Sequence, residues 1–284
     1  MVDAGDSKSP AARRAGSSPA SGTRTLHQAN GRGNMWKLAG WTDRAAAGCE
    51  PTQVSILIVG HPRCGTAYSA DFCGGLGLGI GHEEIGIDGI SSWMFAVDDR
   101  RTPYGRGQFG RRRRAVRWRH MVHAVRDLRS AAESVVIENR HAKASLRFRS
   151  KHIQRLFGVD LNGAGTDLER AIWSIVYWSR IIRAQDPSHV FRIEDGACGF
   201  VEFLTKSGLA KTVDTIPEVP PSNVQKKYSN GFWGRAPSRP IYGNADWEGL
   251  ESGTRELVEE YCSIYGYPSP LGVQSRHLVD RVDD

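Results

Sequence analysis

The chain has 284 residues, a formal net charge of +7 and an isoelectric point near 9.3. That length suits one sizeable domain with an appendage, and the charge favours anionic partners without choosing among a nucleotide, a sulfated sugar and nucleic acid. Five scattered cysteines with no CxxC pair argue against a disulfide framework or zinc cluster and for a reducing compartment; no apolar run reaches the about 18 residues that span a bilayer.

Residues 1–50 are rich in Ser, Ala, Gly and Arg and poor in large aliphatic side chains. They are expected to form a disordered leader, because they bury too little apolar surface to offset the entropy of ordering. The leader lacks the apolar core of a secretory signal. Arg13, Arg14, Arg24 and Arg32 among serines leave organelle import open, Asp3 and Asp6 oppose it, and Met35 is an alternative start. The expected location is the cytoplasm, with import through the leader as the alternative. The folded domain is expected over 51–272 and a short tail over 273–284.

From Val54 the character changes. "VSILIVG" is a continuous apolar run of the kind found in a strand buried on both faces of a parallel sheet. The same reading gives strands at Arg119–Asp127 and Ser188–Asp195. Between the last two, Leu168, Ala171, Ile172, Ile175, Trp178 and Ile182 share one helical face, and a later helix carries Leu257, Val258, Tyr261 and Ile264 before Gly266 and Pro268. Strands alternating with helices predict an α/β fold, three-layer α/β/α with a central, mainly parallel sheet and ligands at the strand carboxyl ends. The arginine-rich, glycine-spaced segment from Arg100 to Arg119 reads either as a solvated loop or as an electrostatic funnel for an anionic substrate or nucleic acid.

The first strand runs into "GHPRCGTAYSADF". A strand, a glycine-containing turn and a helix make a ready anion site, because backbone N–H groups and the helix N-terminus point positive potential into the turn. Gly60 and Gly65 have the Walker spacing, but Thr66 and Ala67 follow where that pattern needs Lys and Ser/Thr. The loop's cation is Arg63. This predicts a cradle for a phosphate-like group handled without a divalent metal. A sulfuryl group fits, since it carries less negative charge than a terminal phosphoryl group, and fixed donors plus one arginine suffice. Cys64 is discarded as a nucleophile, since no arginine follows it closely.

"HPRCGTAY" resembles the 5′-phosphosulfate loop of the PAPS-dependent sulfotransferases, with Cys64 where Ser or Gly is usual. The family's second signature, a strand ending in Arg with a Ser eight residues on, is similar to "HAVRDLRSAAES", in Arg126 and Ser134. The resemblance covers about Val54 to Pro268 and takes in "VFRIEDG" and "ADWEGL". It implies a P-loop-like sulfotransferase fold with PAPS as sulfuryl donor and no metal. It further implies that Pro62, Arg63, Cys64, Gly65, Thr66 and Ala67 hold the 5′-phosphosulfate. Arg126, Ser134 and a late Arg239 would hold the 3′-phosphate, and Tyr68 would stack on adenine. The partner is then a hydroxyl-bearing acceptor, a carbohydrate or a small metabolite, with no membrane span.

Sulfuryl transfer to a hydroxyl needs a base beside the attacking oxygen. "GIGHEEIGIDGISSW" offers His82, Glu83, Glu84 and Asp88 among glycines. Carbohydrate sulfotransferases place a glutamate base about twenty residues after the loop cation, the distance of Glu83 and Glu84 from Arg63. Glu83 is the first choice, His82 the second and Glu84 the third, with Arg63 as the catalytic cation. Two readings compete: a nucleotide kinase lacking the Walker lysine, and a non-enzymatic nucleic-acid-binding protein using Arg111 to Arg114. The sulfotransferase reading is preferred to both.

Overall fold

The computed structural model describes residues 52–99, 101–104, 116–211 and 240–272. The predicted leader over 1–50 and tail over 273–284 lie outside them, as do Arg239 and Arg111 to Arg114.

Ile56, Leu57, Ile58 and Val59 are each essentially fully buried, and they form the middle of β1 (Thr52–Gly60). Their side chains alternate between the two faces of the sheet, and both faces are covered. Ile56 and Ile58 pack on Ala70 and Phe72 of α1 (Thr66–Gly75) and on Phe200 and Leu204 of α5 (Cys198–Lys206). Leu57 and Val59 pack on Phe148 of α3 (Lys143–Phe157) and on Trp178 and Ile182 of α4 (Asp167–Arg183). A second core on that side joins α4 to α2 (Leu128–His141) and α7 (Ser252–Tyr265) around Trp247 of the short α6 (Asn244–Glu248). The expected α/β architecture, helices on both faces of a parallel sheet, is therefore present.

Among the described residues the sheet has five strands in the order β2-β3-β1-β4-β5, all parallel. Here β2 is Ile80–His82, β3 is Gly89–Ser91, β4 is Val116–Val125 and β5 is His189–Arg192. The predicted second strand thus begins three residues earlier and ends two earlier than its apolar pattern suggested. It ends because the Asp127 side chain caps α2, its Oδ1 accepting the Ser130 N–H at 2.9 Å. The predicted third strand stops at Arg192, and Ile193–Asp195 turns as a 3₁₀ segment.

The glycine-spaced stretch from Gly79 to Trp93 holds two strands of three residues each. A parallel pair normally needs a connection of a dozen or more residues; here residues 83–88 suffice, because the strands are so short. Glycine makes the fit possible. A Cβ at Gly81, Gly86 or Gly89 would collide with the carbonyl oxygen of Glu84, Gly79 or Ile56 respectively. Trp93, at the end of this stretch, fills the core, with its ring 5.7 Å from Phe148.

Helix α4 starts at a capping box, Thr166 Oγ1 accepting the Glu169 N–H at 3.1 Å and Glu169 Oε2 accepting the Thr166 N–H at 3.0 Å. Glu169 Oε1 also accepts the Glu251 N–H at 3.0 Å, which ties the start of α4 to that of α7. Thr166→Ala is expected to cost about 1 kcal/mol, read as a lower urea midpoint with an unchanged slope. No described helix is long and apolar enough to cross a membrane.

Candidate anion-binding and active site

The chain leaves β1 toward β3 on one side and later returns to β4 on the other. A crevice therefore opens beyond the carboxyl end of β1, the usual place for a ligand in such sheets. Residues His61–Gly65 occupy it. At its base a Cβ on Gly60 would stand 2.5 Å from the Ala124 carbonyl oxygen, so only glycine lets β1 and β4 stay paired there.

Two loop residues have left-handed backbone, Arg63 at φ 74° and Gly65 at φ 85°. Such positions turn successive N–H groups into a shared concavity. Gly65 is the N-cap of α1 and offers no side-chain cap, which leaves the first-turn N–H groups to face the loop. A Cβ at Gly65 would also stand 2.5 Å from Ile193 Cδ1. Gly65→Ala is expected to destabilise the fold by at least ~1–2 kcal/mol, the cost of left-handed backbone in an L-residue, measurable by chemical denaturation.

The second predicted motif meets this loop. Arg63 Nε donates to Ser134 Oγ at 2.9 Å, and Arg126 Nη1 donates to the Arg63 carbonyl at 3.3 Å. Ser134 lies on the buried face of α2, and Arg126 emerges just after β4. Arg63, Arg126 and Ser134 thus form one cluster, whereas the family resemblance implies that Arg63 serves the 5′ end of the ligand and the other two the 3′ end. Arg126 is oriented from behind: Glu194 Oε1 lies 3.7 Å from its Nε, and the Tyr261 hydroxyl donates to its carbonyl at 2.9 Å. Glu194 is itself held by the Asp127 N–H at 3.0 Å and the Tyr267 hydroxyl at 2.8 Å. Burial, followed by the Glu194 hydrogen bond and charge, pushes the Tyr267 phenol far up, so it stays a donor to that carboxylate.

Of the base candidates, Glu83 is the most integrated. It ends β2 at φ 60°, an uncommon backbone for a residue other than glycine. Its Oε2 accepts the Ser92 hydroxyl at 2.7 Å, and His82 Nε2 lies 3.7 Å from its Oε1. The preceding Ser91 hydroxyl donates to the Thr66 carbonyl at 2.6 Å. Adjacent serines at the end of β3 therefore hold the candidate base and the first residue of the loop helix in fixed relation. Glu84 is exposed, and Asp88 is structural, accepting the Gly79 N–H at 2.7 Å.

The other predicted residues fall as follows. Pro62 is buried and Ala67 partly exposed. Tyr68 is partly exposed and stacks 6.1 Å from Phe72 and 6.4 Å from Phe191. Cys64 is buried, and its thiol is pushed up to about 12, first by desolvation, against a smaller opposing pull from Arg126. It therefore stays a thiol at neutral pH, in accord with its rejection as a nucleophile. Iodoacetamide at pH 8 is expected to label exposed Cys198 in the folded protein and to spare Cys64, as mass mapping will show. His123 is buried with its ring edge-on to Tyr265, and burial lowers it to about 3, so it is a neutral core residue.

Ser91, Ser92 and Glu194 contact the candidate residues and were not singled out by spacing; the adjacent serines of "GISSW" were the available signal. Among the described residues no cluster of three or more His, Cys, Asp and Glu side chains could hold a metal ion. Against known proteins, the chain matches no family model, no curated protein and no solved structure.

Proposed function

We propose that the chain is a PAPS-dependent sulfotransferase, moving a sulfuryl group to the hydroxyl of a carbohydrate or small metabolite. The observation that carries this reading is the hydrogen bond from Arg63 to Ser134, which joins two motifs 71 residues apart into one cluster of donors with Arg126. Two guanidinium groups and a hydroxyl beside a helix N-terminus suit a ligand with more than one anionic group. A nucleotide carrying both a 3′-phosphate and a 5′-phosphosulfate is such a ligand.

On this reading the N–H groups of Arg63, Gly65, Thr66 and Ala67 hold the 5′ end, the Cys64 N–H being donated to the His61 carbonyl at 2.9 Å, and the Arg63 guanidinium lies between the two ends. Arg126 and Ser134 hold the 3′-phosphate, and Tyr68 borders the adenine. PAPS supplies an activated sulfuryl group on its 5′-phosphate. Glu83 accepts the acceptor's hydroxyl proton, with its second oxygen held by Ser92 so that the first is presented in one orientation. His82 and Glu84 remain the second and third choices.

Thermal unfolding tests the reading. A ligand present at ~100 times its Kd adds about 2.7 kcal/mol to stability. Stabilisation by 3′,5′-ADP without magnesium, and not by 5′-ADP or Mg·ATP, is the expected result. Stabilisation by Mg·ATP alone would make this a nucleotide kinase, and no stabilisation by any of them would defeat the cradle itself.

A further inference from the structure

Behind the loop lies a polar cluster that the proposed chemistry does not use. His61, the residue after β1, is buried, and its Nδ1 stands 2.7 Å from the carbonyl oxygen of Pro62. A carbonyl only accepts, so Nδ1 carries the proton. The other ring nitrogen, Nε2, is then an acceptor, and it meets Arg149 Nη1 at 2.8 Å and the Ser174 hydroxyl at 2.9 Å. Arg149 is fully buried; it also donates to Ser174 Oγ through Nη1 and to Asn139 Oδ1 through Nη2 at 2.9 Å. Those partners come from α2, α3 and α4. Desolvation, and then the adjacent guanidinium, keep the imidazole neutral.

This arrangement has a directional consequence. The Pro62–Arg63 peptide is planar, so a carbonyl turned inward to His61 turns the Arg63 N–H the opposite way. Arg63 and Gly65 there adopt positive φ, the backbone that gathers N–H groups into a concavity. An imidazole protonated on Nε2 instead would face the Arg149 guanidinium with a second donor and would release the Pro62 carbonyl.

The geometry points to His61 and Arg149 as positioning residues of the anion cradle: Arg149 selects the Nδ1–H form of His61, which locks the Pro62 carbonyl inward and aims the Arg63 N–H at the bound anion. Neither residue touches the ligand. Arg149 acts through His61, and His61 through one peptide group. The inference rests on the loop being an anion site and does not require that the anion be PAPS.

The test exploits side-chain mimicry. An asparagine amide can reproduce a donor at the Nδ1 position, and a glutamine amide reproduces the Nε2 position. His61→Asn and His61→Gln in the full chain are titrated calorimetrically with pyrophosphate and with 3′,5′-ADP, and their thermal midpoints are compared. His61→Gln is expected to lose tenfold or more in affinity for both probes. His61→Asn should stay within about threefold of the unaltered chain at a similar thermal midpoint. Long-range proton–nitrogen NMR of the unaltered chain should show His61 protonated on Nδ1, and Arg149→Met should erase that preference. An Nε2–H signal, or equal affinity in the Asn and Gln variants, overturns the inference. If the unaltered chain binds pyrophosphate but not 3′,5′-ADP, the sulfotransferase reading fails while the pyrophosphate arm still decides this one. If it binds neither, both fall.

Discussion

Arg126→Ala is expected to weaken 3′,5′-ADP binding by tenfold to a hundredfold and to leave 5′-ADP binding nearly unchanged. The size follows from one charge-assisted contact, ~1.5–3 kcal/mol. The selectivity follows from position. Arg126 joins the same Arg63 that bonds Ser134, and its bond to the loop goes to a backbone carbonyl, through Nη1. The fold should tolerate the change. Glu194 keeps the Asp127 N–H and the Tyr267 hydroxyl after the guanidinium is gone, and Tyr261 bonds the main chain, which alanine retains. Isothermal titration of both nucleotides is the check. Equal losses for the two would remove the 3′-phosphate from this cluster. Ser134→Ala should act in the same direction with a smaller loss, and the Arg126/Ser134 pair should be non-additive, because Arg63 bonds to both.

Glu83→Gln is expected to lower turnover by about 10²–10⁴-fold, the usual contribution of a positioned base, while 3′,5′-ADP affinity stays within about twofold. Glutamine keeps the shape and can still accept the Ser92 hydroxyl, but it cannot take a proton. On the proposed function, turnover is read as 3′,5′-ADP formed from PAPS in the presence of a hydroxyl acceptor. A variant that retains full turnover rules Glu83 out. A larger loss in His82→Asn than in Glu83→Gln would move the base to its neighbour, whose Nε2 lies 3.7 Å from the same carboxylate.

The strands that carry the site were legible because burial on both faces leaves an unbroken aliphatic run: Ile56 to Val59 shows it most clearly. Strands β2 and β3 were not. Three residues with a glycine in each leave no period to detect, and their pairing depends on backbone approaches that only the fold creates. The loop was legible through its glycine spacing, and the proximity of Arg126 and Ser134 to it through a strand–helix register. The cluster behind the loop was not legible. Arg149 and Ser174 are separated from His61 by 88 and 113 positions. On their own helices they look like an ordinary basic residue and an ordinary small polar one. Burial, which only tertiary structure supplies, converts them into a hydrogen-bonded set. The exact strand ends were likewise set by side chains rather than by pattern, as the Asp127 cap shows.

The left-handed backbone at Glu83 has a further implication, for how this protein would respond to selection. A residue with a Cβ is held there at φ 60° at a cost of order 1 kcal/mol that glycine would not bear. Variants chosen only for heat resistance should therefore accumulate glycine at position 83, and each such gain would discard the carboxylate. A mutant library sorted for thermal survival and then assayed for turnover should show the two properties moving in opposite directions at this one position. On the proposed role of Glu83, that opposition would be a trade of robustness for chemistry.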